Sequence, residues 1–137
     1  MSAVAGPMNI FDIAGRAMSA QLVRLNATAS NLANAGTVTG DAKTAFRAIK
    51  PVFQTIADEP GVATVKVDKV VQSDVQPVKR HDPGHPLADA NGDVWEAGVD
   101  QSAELVEMIE TARQYQNNVQ VLQTAKSLLL DTIRMGK

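Results

Sequence analysis

QSAELVEMIETARQYQNNVQVLQTAKSLLLDTIRM, residues 101–135, decides the fold. Apolar side chains recur in it at Leu105, Met108, Ala112, Tyr115, Val119, Leu122, Leu129 and Ile133, in steps of three and four that only Lys126 interrupts. Such spacing puts them on one face of an α-helix, and no Gly or Pro falls between Gly98 and Gly136. At about 1.5 Å per residue the helix runs roughly 50 Å. A compact globule of this length has a radius of gyration of about 14 Å, or a diameter of roughly 37 Å. The helix outruns such a globule, so its stripe needs partners from elsewhere in the chain, from other chains, or from both.

One partner is legible near the start of the chain. Asn9 reads as an N-cap and Gly36 as a stop. Between them Phe11, Met18, Leu25 and Leu32 recur every seven residues, joined by Leu22 and Ala29. The remaining faces are unusual for a surface helix: seven alanines lie between Ala14 and Ala35, and the only charges are Asp12, Arg16 and Arg24. Small side chains let neighbouring backbones approach, and few charges mean little desolvation cost, which predicts a helix packed on more than one side. The alternative is an alanine-rich surface helix held by its stripe alone.

From Thr37 to Val99 the period changes and Gly, Pro and Asp become frequent. Phe46–Ile56 and Val62–Val71 read as two strands with a turn near Asp58–Gly61, Pro51 demoting the first to an edge or broken strand. Asp82-Pro83-Gly84 reads as a tight turn and Asn91-Gly92 as a hairpin turn. The expected fold is therefore mainly α with a small β/loop insertion: two long terminal helices packed as an antiparallel coiled coil, elongated rather than globular. Its parts are an N-terminal helix segment (1–36), the insertion (37–99) and a C-terminal helix segment (100–137).

Composition narrows the function. A formal net charge of −2 leaves no electrostatic footprint for nucleic acid or an anionic membrane, and the absence of cysteine excludes disulfides and thiolate metal sites. The opening MSAVAGP has no basic n-region, so a Sec signal peptide is not expected, and no apolar run has the length of a membrane span. His81 and His85 stand four apart, but Pro83, Gly84 and Pro86 forbid the helix that would converge them on zinc. Asp89-x-Asn91-Gly92-Asp93 lacks the glycine and glutamate positions of a calcium loop. Glu104, Glu107 and Glu110 suit the positive end of a helix better than acid–base work. No catalytic, cofactor-binding or metal-binding residue is expected, and a small hydrolase would need a polar cluster that the chain does not offer. From Gln114 to Ala125 the helix carries amides and no charge. Such a face suits either the wall of a multi-chain helical assembly or an ordinary wet surface.

Several motifs resemble a known family. ATASNLANAGTVTGD (27–41), with Ser30-Asn31-Leu32-Ala33-Asn34 at its heart, is similar to the N-terminal signature of the bacterial flagellar axial proteins, the rod, hook and hook-associated proteins. LVEMIETARQYQNNVQVLQTAKSLLLDTI (105–133), with Gln116-Asn117, resembles their C-terminal signature. NIFDIAGRAMSAQLVRLN (9–26) and PGHPLADANGDV (83–94) resemble the proximal rod proteins within that family. Departures are Asn118, where an alanine is common, and the charged run Lys79 to Asp82. The resemblance implies a non-enzymatic subunit of the rod, the flagellar drive shaft, with no cofactor. Family members leave the cytoplasm unfolded through the flagellar type III export apparatus and polymerise in the periplasm, their terminal helices forming the tube wall. Implied partners are copies of the chain itself, the rod proteins FlgB, FlgF and FlgG, the rod-base protein FliE and the inner-membrane ring, with no nucleic acid and no membrane insertion. The stripe residues listed for both helices are then the helix-pairing and subunit-interface positions. The competing reading is a secreted coiled-coil adaptor or type III export substrate that binds a single partner without polymerising.

Overall fold

The computed structural model describes residues 7–136, so most of the opening segment from which the Sec expectation was drawn lies outside it. The C-terminal helix, α2 (Gln101–Met135), starts where Asp100 turns its side chain back to accept a hydrogen bond from the Ala103 N–H, satisfying one orphan donor of the first turn. The N-terminal helix, α1 (Pro7–Asn34), begins at a proline, whose missing N–H is harmless in a first turn. Asn9 consequently lies inside the helix and does not cap it.

Between the helices the chain builds two antiparallel sheets. Strands β2 (Ile49–Glu59) and β3 (Val62–Gln72), eleven residues each, form a two-stranded ribbon. They turn at Pro60-Gly61, where Gly61 adopts φ +80°, the left-handed conformation that the third residue of a type II turn requires. Pro51 is accommodated because both strands of a two-stranded ribbon are edges. The second sheet has the order β1 (Val38–Thr39), β5 (Asp93–Glu96), β4 (Val78–His81). Asn91-Gly92 does not make a two-residue hairpin turn: it closes the loop 82–92 between β4 and β5. There the Asp89 carboxylate accepts from the N–H groups of Asn91 and Asp93.

The expectation of a mainly helical chain with a small insertion is overturned. Helix accounts for 48% and strand for 26% of the structure, in two helices and two sheets. The reason lies in what the ribbon does. It is not a peripheral loop but lies against α1, with Arg16 donating to the Thr64 hydroxyl at 2.8 Å near the ribbon's tip. At its base the buried Asn31 amide pairs with both backbone groups of Ile49: it accepts from the Ile49 N–H at 2.8 Å and donates to the Ile49 carbonyl at 2.9 Å. A planar amide offers the same donor–acceptor pair as a peptide unit, so Asn31 extends the strand ladder by one position. The α1 face toward the ribbon holds Arg16, Ala20, Val23, Ala27 and Asn31, and α2 covers another face of α1.

The two sheets meet beside Gly98. Its N–H donates to the Phe46 carbonyl, its carbonyl accepts from the Ala48 N–H, and the Ser73 N–H donates to the Ala48 carbonyl. A Cβ on Gly98 would stand 2.5 Å from the Val75 carbonyl oxygen, so only glycine fits. Around this crossing Ala45, Ala48, Val94 and Ala97 are buried.

Asn31→Ala should lower the unfolding free energy by about 1–3 kcal/mol, since two part-buried backbone groups of Ile49 lose their partner. Denaturant titration measures it, and hydrogen exchange should show faster opening of residues 49–72; a change under about 0.5 kcal/mol would mean that Asn31 does not hold the ribbon. Gly98→Ala should cost about 1–3 kcal/mol, the penalty of forcing a methyl group into a packed site, whereas Gly84→Ala, with open space around its Cα, should be close to neutral.

Candidate assembly surfaces

The helices run antiparallel, as the cross-pairs Gln21 with Gln114 and Arg24 with Glu107 require. Each presents two columns at seven-residue spacing. On α1 the half-buried column Phe11, Met18, Leu25 and Leu32 alternates with Ala14, Gln21 and Thr28. On α2 the half-buried column Met108, Tyr115, Leu122 and Leu129 alternates with Glu104, Thr111, Asn118 and Ala125. Every one of these positions is buried or half-buried, which is the a/d pattern of paired helices with one apolar and one small or polar column.

The structure divides the expected stripe between the seam and the surface. Phe11, Met18, Leu25, Leu32, Met108, Ala112, Tyr115, Val119, Leu122 and Leu129 are half-buried. Leu22, Ala29, Leu105 and Ile133 face solvent. The sequence reading passed over Ala14, Thr28, Glu104, Thr111 and Ala125, the most buried seam positions, because it tracked large apolar residues. A heptad count that gave Ala and Thr the same weight as large apolar residues would have found all of these but Glu104, and would have put Ala125 in the seam in place of the interrupting Lys126. Of the signature residues, Asn31 is the buried ribbon clamp, Leu32 joins the seam, and Asn34 bonds back to the Ser30 carbonyl at the end of α1. Ala33, Gln116 and Asn117 are exposed.

The seam between the C-terminal half of α1 and the start of α2 is polar. Arg24 donates to the Glu107 carboxylate and, at 3.0 Å, to Gln114, whose side-chain oxygen also accepts from Gln21 at 2.9 Å. The hydrogen bond from Arg24 holds the Glu107 carboxyl below the usual carboxylate range; burial opposes this, and the charges of Arg24 and Lys50 add to it. Beside this pair lies a groove of about 470 Å³. Arg24 and Thr28 form its floor, Ile49, Lys50, Pro51 and Phe53 one wall, and Ala103, Glu104 and Glu107 the other. The two histidines stand apart in role: His81 Nδ1 is 2.9 Å from an Asp93 carboxylate oxygen, while His85 Nδ1 accepts from the Leu87 N–H. Among the described residues no group of His, Asp and Glu is placed to hold a metal ion, and no helix is long and apolar enough to cross a membrane.

Outside the seam the molecule leaves large apolar side chains in water. On α2 these are Leu105, Val106 and Ile109 in the first turns and Val121, Leu128, Leu130, Ile133 and Met135 further on. Val106, Ile109 and Leu128 are each more than 60% exposed. Every residue from Leu130 to Gly136 is exposed, so the last turns of α2 reach past what α1 covers. A soluble monomer seldom shows such rows, and they mark surfaces for other chains.

Comparison with known proteins agrees. The family model for flagella basal body rod proteins matches residues 11–40, and the model for the C-terminal part of flagellar basal body rod FlgEFG proteins matches residues 90–135. Together these segments contain nearly all of both helices and the paired strands β1 and β5. The flagellar basal-body rod protein FlgC of Salmonella typhimurium is 48% identical over 132 residues, covering 95% of this chain and 98% of the relative. FlgC of Escherichia coli O157:H7 is also 48% identical over the same shares, and FlgC of Buchnera aphidicola subsp. Schizaphis graminum is 36% identical over 139 residues. With paired helices, unpartnered apolar rows and this similarity over almost its whole length, the chain belongs to the flagellar basal-body rod protein family, in its FlgC group, and is a structural, non-enzymatic subunit of the proximal rod in the periplasm.

Proposed function

We propose that this subunit polymerises through its helices, segments 1–36 and 100–137 forming the tube wall and segment 37–99 lying on its outer side. The neighbours in this reading are copies of the chain and the rod proteins FlgB, FlgF and FlgG, with FliE and the inner-membrane ring toward the base. Passage through the flagellar type III export apparatus precedes assembly. The observation that carries the reading is the exposed apolar side of α2, because a rod subunit must offer contacts on more than one face to continue a helical array. The matched family segments coincide with the helix pair, whereas the ribbon 49–72 lies outside both and is shared through the similarity to FlgC proteins. That division supports a reading in which the helices build the wall and the ribbon meets particular neighbours.

Ile109→Lys and Ile133→Lys test this directly, since both side chains are more than half exposed and contribute little to the subunit's own stability. Each purified variant should unfold within about 0.5 kcal/mol of the wild type, yet each should enter purified basal bodies at least tenfold less. Wild-type incorporation of both would remove α2 from the wall.

Acid should loosen the helix pair. Glu107 has a folded-state pKa below its unfolded value, so its contribution is present at neutral pH and is lost as pH falls through the folded value, below the ordinary carboxylate range. The effect is modest because the carboxylate is more than a third exposed. The thermal midpoint should fall on acidification, and Glu107→Gln should fall less steeply over the same interval; parallel curves would show that the pair with Arg24 contributes nothing.

A further inference from the structure

Asn91-Gly92 is the only place in the chain where glycine follows asparagine. That dipeptide carries a chemistry of its own. The Gly92 nitrogen can attack the side-chain carbon Cγ of Asn91, because glycine has no side chain to hinder the approach and leaves the backbone free to turn. As the new N–Cγ bond closes a succinimide ring, the side-chain nitrogen leaves as ammonia, taking the proton that the Gly92 nitrogen gives up. Water then opens the ring at either carbonyl and leaves an aspartyl or an isoaspartyl residue. Two conditions govern the first step: the Gly92 nitrogen must be free of other bonds, and the peptide unit between the two residues must be able to rotate toward the side chain. Every other asparagine lies within α1 or α2 and precedes a residue that has a side chain.

The folded loop meets neither condition. The Gly92 N–H donates to the Asp89 carbonyl at 3.0 Å, and the Gly92 carbonyl accepts from the Asp82 N–H at 2.9 Å. The Asn91 N–H donates to the Asp89 carboxylate at 2.8 Å, and the same oxygen accepts from the Asp93 N–H at 2.9 Å. The Asp89 N–H in turn donates to the Asp93 carbonyl at 2.9 Å. Gly92 is held at φ +78°, and a Cβ there would stand 3.1 Å from the Pro83 ring and 3.2 Å from the His81 ring, so its backbone packs closely against both. Asn91 itself is exposed, so burial does not shield it. The backbone bonds do.

We infer that Asn91 is the deamidation site of this chain, open in the unfolded chain and closed in the folded subunit by the bonds that Asp89 makes. The inference does not depend on how the subunits assemble. Its consequence runs one way. An isoaspartyl residue lengthens the main chain by one carbon between Asn91 and Gly92, which moves the Gly92 N–H out of register with the Asp89 carbonyl. Either product also adds a negative charge to a loop that already carries Asp89 and Asp93. A chain that waits unfolded thus loses the means to close the loop between β4 and β5, whereas a folded subunit keeps it.

The test follows residue 91 in the purified full chain at mildly alkaline pH, which favours the attacking nitrogen, with aspartate and isoaspartate located by mass spectrometry of its peptides. In denaturant the wild type should convert at Asn91 ahead of every other asparagine. The folded wild type should convert at least tenfold more slowly, because reaction then waits on local opening of the loop. Asp89→Ala, which removes the carboxylate acceptor, should convert several-fold faster than the folded wild type, while Asp89→Asn, which keeps an acceptor oxygen in the same place, should stay close to it. Circular dichroism checks that each variant is folded. Hydrogen exchange gives the same answer without a variant: the protection of the Gly92 N–H should match the ratio of the denatured and folded conversion rates. Equal rates in the folded and denatured wild type, first conversion at another asparagine, or an unprotected Gly92 N–H would each overturn the inference. A folded Asp89→Ala that converts no faster than the wild type would overturn the part assigned to Asp89.

Discussion

Helix α1 is covered on two sides within one chain, by α2 and by the β2–β3 ribbon, and this arrangement constrains everything else. Where these neighbours bury α1 fully the side chains are small or polar, while Phe11, Met18, Leu25 and Leu32 stay half-buried in the seam. Ala14, Ala20 and Ala27 are the consequence, and Thr28 and Asn31 join them, the Asn31 amide being satisfied in place by the Ile49 backbone. Among the described residues the buried apolar positions are seven alanines and Val94. Close backbone approach replaces the bulky interdigitation of an ordinary core, and each buried alanine removes little apolar area from water.

A core of that kind has a functional corollary. The large apolar residues of the chain are spent elsewhere, half-buried in the seam or exposed on α2 and the strands. In a free monomer this would be a liability. In the assembly proposed above it is the material from which contacts with neighbours are made.

Polar joints fix the geometry of these contacts. The amide of Asn31 ties the ribbon to the end of α1, and the Arg24, Glu107, Gln114 and Gln21 group ties α1 to the start of α2. Hydrophobic contact is tolerant of sliding, whereas these bonds are directional and permit one register. The ribbon and both helices are thereby held as one unit around the groove that contains Glu104. The cross-strand pairs of the three-stranded sheet, Arg80 with Glu96 and His81 with Asp93, join only the strands β4 and β5.

Some of this was legible in the residues alone. The limits of both helices, the two strands of the ribbon and its turn, and the close packing of an alanine-rich α1 follow from periodicity, Pro and Gly placement and the scarcity of charge, all of which act over a few neighbouring residues. The flagellar family followed from Ser30 to Asn34 and the C-terminal signature. The share of strand, the rotation of the seam by one position and the partner of the alanine-rich face did not. Periodicity tells which residues lie on one face of a helix but not what covers that face, and on α1 the cover is a ribbon of the same chain. The heptad frame on α2 slipped because large side chains dominate a hydrophobic pattern, while the seam against α1 selects Thr111 and Ala125 for their size. Asn31 looked like one letter of a signature. Only the path of the chain, which returns Ile49 to the end of α1, made it a structural bond.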